Sequence, residues 1–215
     1  MPEPEYKIEY VNDNVGQKRK TLEMPYTVLK EKHVKNTKII LNRAELLRSL
    51  TIQDGIFAEI GVARGDFSQK IFEICKPKKL HLIDMWSSER YSKECEASVL
   101  SRFSDEIANK KVVINRGKSV DVLSEFPNEY FDWVYIDTVH DYKVTSQELE
   151  ICRHKVKKGG IIAGHDFVLG NWNSSIKYGV IEAVYEFCGM NNWEFIALTM
   201  ELNGNSFAVR EIQTN

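Results

Sequence analysis

Four side chains that can ligate a metal or move a proton follow two apolar runs in the second half of this 215-residue chain. Asp137 and His140 come after one run, and His165 and Asp166 come after the next. Carboxylate oxygens and imidazole nitrogens are ligands for divalent cations. The same groups can also act as a base toward an acceptor hydroxyl. The residue types therefore indicate either a cation site or an acid–base site.

An earlier apolar run ends in a glycine-containing turn, Glu59-Ile60-Gly61-Val62-Ala63-Arg64-Gly65. Two glycines let the backbone turn tightly and approach a ligand closely, and the helix predicted to follow offers free N–H groups. The spacing G-x-x-x-G differs from the G-x-G-x-x-G of dinucleotide sites. Asp66 at the helix start would also repel a pyrophosphate. The turn suits the zwitterionic tail of an amino acid better than a dinucleotide.

Two further run ends carry groups suited to a nucleoside. Asp84 follows the second apolar run, where folds of this kind place a carboxylate that binds ribose hydroxyls. Gly117 and Ser119 form another glycine turn at the start of a predicted helix. Taken together with the first turn, Asp84 favours a ligand that joins an amino-acid tail to a ribose.

The elements that position these groups alternate regularly along the chain. The predicted strands are 55–62, 79–86, 111–115, 133–137 and 160–164, each short, apolar and bounded by turn residues. The predicted helices are 66–75, 92–109, 119–126 and 143–156, with an earlier helix beginning near Asn36. A helix at 178–189 leads to two final strands, 193–199 and 206–212, joined by an Asn/Gly-rich turn.

Strands that are apolar on both faces and separated by helices are typical of a parallel sheet covered on both sides. We therefore predict an α/β, Rossmann-like three-layer sandwich with a mostly parallel seven-stranded sheet and a C-terminal antiparallel hairpin. Residues 1–36 are polar and are predicted to form an N-terminal arm or lid, and residues 37–215 to form one domain. In such a sheet ligands bind beyond the carboxyl ends of the strands, which is where Asp137 and Asp166 are expected.

The order of these motifs resembles the class I S-adenosylmethionine-dependent methyltransferases. The motifs that carry the resemblance are E-x-G-x-x-x-G, the strand-end Asp84, G-K-S, Y-I-D-T-V-H-D-Y and K-K-G-G-I-I-A-G-H-D-F. Within that class the chain most resembles the small O-methyltransferase branch, which includes catechol-type and macrocin-type enzymes. The resemblance covers roughly residues 37–212. It implies transfer of a methyl group from S-adenosylmethionine to a hydroxyl of a small molecule, such as a sugar, a phenol or a natural-product intermediate.

The resemblance also implies roles for individual residues. The residues expected to bind the cofactor are Glu59, Gly61, Gly65, Asp84, Met85, Trp86, Gly117, Ser119 and Asp137. In this assignment Glu59 and the two glycines frame the methionine end. Asp84 binds the ribose, with Met85 and Trp86 beside the adenosine. The G-K-S turn borders the adenine, and Asp137 lies close to the sulfonium.

The implied metal site departs from the pattern of the family. Asp137 and Asp166 stand where the branch places two metal-binding acids. Catechol-type enzymes usually follow the second acid with an Asn and macrocin-type enzymes usually have paired acids, but here the pair is His165-Asp166, followed by Phe167. We therefore expect Asp137, Asp166 and His165 as ligands of a divalent cation such as Mg²⁺. Metal dependence is left open, because hard cations favour oxygen ligands. His140 is the expected catalytic base, acting beside Asp137.

Composition sets the remaining expectations. The net charge of −2 gives no electrostatic reason to expect nucleic acid. The four cysteines are widely spaced, so we expect reduced thiols in a core, and with no membrane-spanning run we expect a cytoplasmic protein. The N-terminal arm can close over the cofactor or pack on a second subunit of a homodimer.

Two alternatives from other classes stay open at this stage. One is a nicotinamide-dependent oxidoreductase on a related sheet, which the glycine spacing and Asp66 disfavour. The other is a non-catalytic binding protein that kept the fold. The acceptor atom is also open, since a nitrogen would need less help from a base or a metal. The aromatic residues Trp86, Tyr91, Trp172 and Tyr178 and the loop 169–175 are expected to wall the acceptor cleft.

Overall fold

A computed structural model describes residues 24–50, 52, 54–171, 176–202 and 204–213. Its main sheet consists of β1 (Lys38–Ile40), β2 (Ile56–Ile60), β3 (Lys79–Asp84), β4 (Val112–Arg116), β5 (Phe131–Ile136), β6 (Val156–Gly164), β9 (Trp193–Thr199) and β10 (Phe207–Glu211). A separate two-stranded sheet is formed by β7 (Gly170–Asn171) and β8 (Ile176–Lys177). The helices are α1 (Arg43–Ser49), α2 (Asp66–Cys75), α3 (Lys93–Arg102), α4 (Ser104–Ala108), α5 (Ser119–Glu125), α6 (Tyr142–Lys155) and α7 (Val180–Asn191), preceded by a 3-10 helix, Glu31–His33.

The strand order of the main sheet is β1-β9-β10-β6-β5-β2-β3-β4. β2 pairs in parallel with β3 on one side and with β5 on the other. The chain therefore reverses its direction of travel across the sheet between β2 and β5, and ligands bind at such a switch point. This is where the glycine turn after β2 meets Asp137 after β5, whose N–H donates to the carbonyl of Ile60 at 2.7 Å.

The two faces of the sheet carry separate apolar layers. One layer joins α1, α2 and α3 to residues such as Phe57, Leu82 and Trp133. The other joins α5, α6 and α7 to residues that point the opposite way, such as Ala58 and Val134. Alternation along β2 and β5 supplies both layers. The predicted three-layer sandwich is confirmed, and all four cysteines are buried free thiols, as expected.

The C-terminal hairpin is also confirmed. β10 runs antiparallel to β9 and to β6, with a register shift between Ala208 and Val209. β10 thus inserts between β9 and β6 and completes the seven predicted strands. In the predicted turn, Asn203 lies outside the described residues.

Two predicted elements are wrong in detail. The helix expected from Asn36 begins only at Arg43, capped by the Asn42 side chain, and Lys38–Ile40 forms an eighth strand instead. This strand pairs in parallel with the outer edge of β9, and that pairing satisfies backbone groups that a helix would have satisfied locally. The helix predicted over 92–109 is split at Phe103, which is buried and packs edge-on to Phe72.

Part of the predicted N-terminal arm is described. Lys32 Nζ donates to Asn192 Oδ1 at 2.7 Å, and Asn36 Nδ2 lies 2.6 Å from Glu194 Oε2. Residues 24–36 therefore reach α7 and β9, while residues 1–23 lie outside the described residues, so the role of the arm as a lid stays a prediction. Among the described residues, no helix is long and apolar enough to cross a membrane.

Candidate active site at the carboxyl ends of the parallel strands

The turn after β2 depends on its glycines. Gly61 has a φ of +88°, and a Cβ built there would lie 1.9 Å from the carbonyl oxygen of Asp137. Gly65, with φ +80°, precedes the first residue of α2. Both conformations are costly for a residue with a Cβ. The turn can therefore lie against the end of β5 only because Gly61 has no side chain.

Asp84 holds this turn in place. Its Oδ2 accepts hydrogen bonds from the N–H groups of Val62 at 2.8 Å and Ala63 at 3.0 Å. Its Oδ1 accepts from the N–H of Trp86 at 3.1 Å. A carboxylate has about four lone-pair sites, so capacity for a ribose hydroxyl is left on Oδ1. Asp84 thus orients the turn, and its binding of a ribose stays a prediction.

The two residues after Asp84 differ in exposure. Met85 is 42% exposed and lies at the surface of the site, whereas Trp86 is only 3% exposed. The Trp86 indole N–H donates to the carbonyl of Ala63 at 2.8 Å, so the ring supports the turn from beneath. The expectation that Trp86 offers an open aromatic wall is therefore wrong in this conformation. Tyr91 is 37% exposed, and Trp172 lies outside the described residues.

Glu59 is buried behind the turn rather than exposed in the cleft. Its carboxyl accepts a hydrogen bond from the Ser68 hydroxyl of α2. Burial raises the pKa of Glu59 well above its usual value, although the Ser68 hydrogen bond opposes the shift. Glu59 therefore connects the strand to the helix that follows the turn and is not an exposed acid in the cleft.

Three groups converge at the ends of β5 and β6. His140 Nε2 lies 2.7 Å from Asp166 Oδ2 and 3.6 Å from Asp137 Oδ1. Ligand atoms of these three residues all lie within 4.8 Å of one another. His140 and Asp166 both have left-handed backbones, with φ of +59° and +54°. Strain of this kind in residues with side chains clusters at functional sites.

The structure adds a candidate to the expected metal set. Ligand atoms of Asp137, His140 and Asp166 converge, and the set expected from the sequence, Asp137, Asp166 and His165, stays a prediction. His165 Nδ1 lies 3.3 Å from Asp166 Oδ2 but 4.0 Å from Asp137 Oδ2. The left-handed backbone of His140 turns its ring back toward both acids, where the ring also packs against Tyr178 at a centroid distance of 4.7 Å.

The charge state of His140 bears on its expected role as a base. Desolvation lowers its pKa, but hydrogen bonds to Asp137 and Asp166 outweigh it and raise the pKa to about 9. The pKa of Asp166 is lowered against desolvation by hydrogen bonds from His140 and His165. In this conformation His140 is an imidazolium near pH 7 and cannot accept a proton.

The glycine turn after β4 lies at the neighbouring strand end. The N–H of Gly117 donates to the carbonyl of Asp84 at 3.0 Å, which links this turn to the end of β3. Ser119 is the first residue of α5. The two residues are therefore close to the site that Asp84 defines, and their contact with an adenine stays a prediction.

Sequence reasoning missed one charged residue of the site. Arg43, the first residue of α1, places Nη1 3.5 Å from Asp137 Oδ2, and its guanidinium lies 4.6 Å from the centre of the Phe67 ring. No signal marks it in the sequence, because it precedes every motif and its proximity to Asp137 depends on the packing of α1 against α2.

The fold and the site define the class of protein. The strand order, the glycine turn after the first strand of the switch point and the antiparallel β10 are those of class I S-adenosylmethionine-dependent methyltransferases. A family model described as a methyltransferase domain matches residues 58–167, about half of the chain, and the chain belongs to that family. It is a methyltransferase and not a nicotinamide-dependent oxidoreductase. No curated protein sequence matches it significantly.

Solved structures share the fold at low sequence identity. The pyocyanin biosynthetic protein PhzM has a TM-score of 0.60 at 13% identity, over 80% of this chain and 55% of PhzM. A candidate rRNA methylase from Clostridium thermocellum has a TM-score of 0.61 at 12% identity, over 82% of this chain and 99% of that one. A candidate methyltransferase from Streptococcus mutans, in complex with SAH, has a TM-score of 0.57 at 10% identity, over 79% and 96%. The chain thus spans about half the length of PhzM, and the shared fold does not distinguish a small acceptor from a nucleic acid.

Proposed function

We propose that the chain transfers the methyl group of S-adenosylmethionine to a hydroxyl oxygen of a small molecule, with a divalent cation bound at Asp137, His140 and Asp166. The observation that carries the proposal is the convergence of these three groups at the carboxyl ends of β5 and β6. They lie beside the glycine turn, since Gly61 is in contact with the backbone of Asp137. Methyl donor and acceptor would therefore meet at one strand end.

The donor set suits a divalent cation. Two carboxylates and one imidazole offer oxygen and nitrogen ligands within 4.8 Å of one another. On cation binding, His140 would give up its hydrogen bond to Asp166 and ligate the ion instead. Ligation requires the neutral form of the imidazole. When bound, a cation lowers the pKa of a coordinated hydroxyl and so generates the nucleophile at neutral pH. His140 would then act as a ligand, and the proton of the coordinated hydroxyl would pass to solvent water.

The residues of the chain supply positioning. Methyl transfer is an in-line displacement, so the acceptor oxygen must lie about 3 Å from the methyl carbon and be aligned with the sulfur. Asp84 fixes the glycine turn that holds the methionine end, and Asp137 is bonded through its backbone to the end of β2. Since both halves of the site are held by the same two strands, the donor and the acceptor would be held in a fixed relation.

An apolar rim supports a small organic acceptor. Val139, Leu169 and Ile176 are each at least half exposed, and Tyr178 packs against His140. Leu169 and Ile176 belong to the segment around β7 and β8, which is tied to the site by the hydrogen bonds of Tyr178 N–H to Leu169 and of Gly179 N–H to His140. A phenol or another hydroxylated ring fits such a rim, and the net charge of −2 gives a phosphate backbone no electrostatic attraction.

Label transfer from S-adenosylmethionine to a panel of phenols, sugars and RNA, with Mg²⁺ or Mn²⁺ and with EDTA, tests the proposal. We expect transfer to a hydroxylated small molecule, its loss in EDTA and its recovery with the metal. Asp166→Asn should lower the rate at least tenfold, whereas Asp105→Asn, an exposed residue of α4, should leave it unchanged. Transfer to RNA alone, or transfer that is indifferent to EDTA and to Asp166→Asn, would overturn the proposal.

A further inference from the structure

Arg43 is a permanently charged cation beside Asp137 at the end of β5. Its side chain is 30% exposed, so it is neither a core residue nor a freely solvated one. It lies over the ring of Phe67, the second residue of α2, immediately after the glycine turn. This cation–π contact places the guanidinium next to the start of α2, two residues beyond Gly65 of the turn where the methionine end of the cofactor is expected.

Among the described residues, the neighbours of the guanidinium do not fill its hydrogen-bonding capacity. A guanidinium offers five N–H donors. Its ion pair with Asp137 is 3.5 Å long, at the limit for a hydrogen bond, Tyr135 is a further hydrogen-bond partner, and the charge of Glu201 also acts on it. Within the described part of the chain, Arg43 is therefore held by Phe67 and Asp137 and keeps donors for an anion.

The charges around the turn are complementary to those of the cofactor. The charged groups that act electrostatically on Glu59 include two carboxylates, those of Asp137 and Asp84, and the guanidinium of Arg43. The methionine end of S-adenosylmethionine carries two positive groups, the ammonium and the sulfonium, and one negative carboxylate. The acids suit the positive groups, but the carboxylate needs a cation. Arg and carboxylate form paired hydrogen bonds with matching geometry.

We infer that Arg43 binds the carboxylate of the methionine portion of S-adenosylmethionine and thereby sets the preference of the site for a complete amino-acid tail. The inference rests on the proposed location of the cofactor at the turn after β2. It makes Arg43 a binding residue for the cofactor, and not merely a neighbour that neutralises Asp137. The two roles differ in one respect: only the first depends on the carboxylate of the ligand.

Binding of two ligands to matched variants tests this inference. The ligands are S-adenosylhomocysteine and its decarboxylated analogue, which lacks only the carboxylate, measured by isothermal titration calorimetry. Loss of a charge-assisted pair should weaken S-adenosylhomocysteine binding by Arg43→Gln roughly 10- to 100-fold. Binding of the decarboxylated analogue should change by less than about threefold, since it has no carboxylate to lose. Arg43→Lys keeps the charge and should fall between Arg43→Gln and the wild type.

Arg48→Gln provides the control, because Arg48 lies on the same helix and pairs with Glu45 at the surface, at 2.6 Å. It should bind both ligands as the wild type does. Equal losses for the two ligands in Arg43→Gln would mean that Arg43 acts through the shape of the site, and would overturn the inference. Unchanged binding of S-adenosylhomocysteine would overturn it as well. Failure of the wild type to bind S-adenosylhomocysteine at all would contradict the proposed location of the cofactor, and with it the inference about Arg43.

Discussion

Gly61 and Asp137 are in backbone contact, because a Cβ at Gly61 would lie 1.9 Å from the carbonyl oxygen of Asp137. The two residues end neighbouring parallel strands, β2 and β5, on either side of the switch point of the sheet. This contact brings the proposed cofactor turn and the proposed cation site together.

Replacement of Gly61 by alanine should therefore damage both stability and cofactor binding. The left-handed backbone costs about 1–2 kcal/mol in a residue with a Cβ, and the overlap with Asp137 adds to it, so we expect a loss of roughly 2–4 kcal/mol in the free energy of unfolding. Urea denaturation and calorimetry with S-adenosylhomocysteine measure the two effects. Gly159→Ala is the matched control, because Gly159 also has a positive φ, +73°, but open space at its Cβ position. If both variants lose the same stability, the contact with Asp137 is not the cause.

The predicted cation site can be tested without any acceptor. Mn²⁺ binding by the wild type, followed by calorimetry or electron paramagnetic resonance, should weaken at least tenfold in His140→Ala and in Asp166→Asn, because each removes one of three ligands. His165→Ala should have a smaller effect, since His165 Nδ1 lies farther from both acids, at 3.3 and 4.0 Å, than His140 Nε2 does, at 2.7 and 3.6 Å. A larger loss in His165→Ala than in His140→Ala would restore the ligand set expected from the sequence.

Much of the fold follows from local sequence signals. The bounds of α2 and of β9 agree with the sequence-based prediction, because apolar periodicity and the flanking turn residues both mark them. The strand Lys38–Ile40 could not be found this way. Its pairing partners, Ala197–Thr199, are about 160 residues away in the sequence. A short Ile-containing segment followed by Leu-rich sequence is equally compatible with a helix.

The site was predicted less completely than the fold. Strand-end acids such as Asp137 and Asp166 can be recognised once the strands are assigned. The approach of the His140 ring to both acids accompanies a left-handed backbone at His140, which a sequence pattern does not specify. Arg43 lies before the first motif, so only the packing of α1 and α2 brings it to Asp137. Burial of Glu59 and Trp86 likewise depends on the helices that cover the sheet.

Glu148 should make the stability of the protein depend on pH. It is fully buried in α6 and accepts a hydrogen bond from Thr138 at 2.9 Å. Burial raises its pKa to about 7, above the value of 4.5 for an ordinary glutamate. Between these two values the folded chain holds a proton that the unfolded chain has released, so the contribution of Glu148 to stability falls as the pH rises from about 4.5 to 7.

Glu148→Gln removes this titration. We expect its free energy of unfolding, relative to the wild type, to rise across that pH interval by up to about 3 kcal/mol. Urea denaturation at half-unit pH steps measures the difference, and a constant offset from changed hydrogen bonding does not affect its slope. Glu125→Gln, at an exposed position of α5, should follow the wild type at every pH. Parallel curves for Glu148→Gln and the wild type would mean that Glu148 titrates normally.

Leu169 should affect the acceptor and leave the cofactor alone. Its side chain is 61% exposed. Its carbonyl accepts a hydrogen bond from the N–H of Tyr178, and the Tyr178 ring packs against His140. Leu169→Ser removes apolar surface and keeps the backbone bond, so we expect KM for a phenolic acceptor to rise about three- to tenfold, equivalent to about 1 kcal/mol of lost apolar contact. The Kd of S-adenosylhomocysteine should stay unchanged. Leu100→Ser, at an exposed position of α3, should alter neither constant. A fall in kcat with constant KM in Leu169→Ser would instead assign Leu169 to alignment of the reacting atoms, because only the transition state would then lose stabilisation.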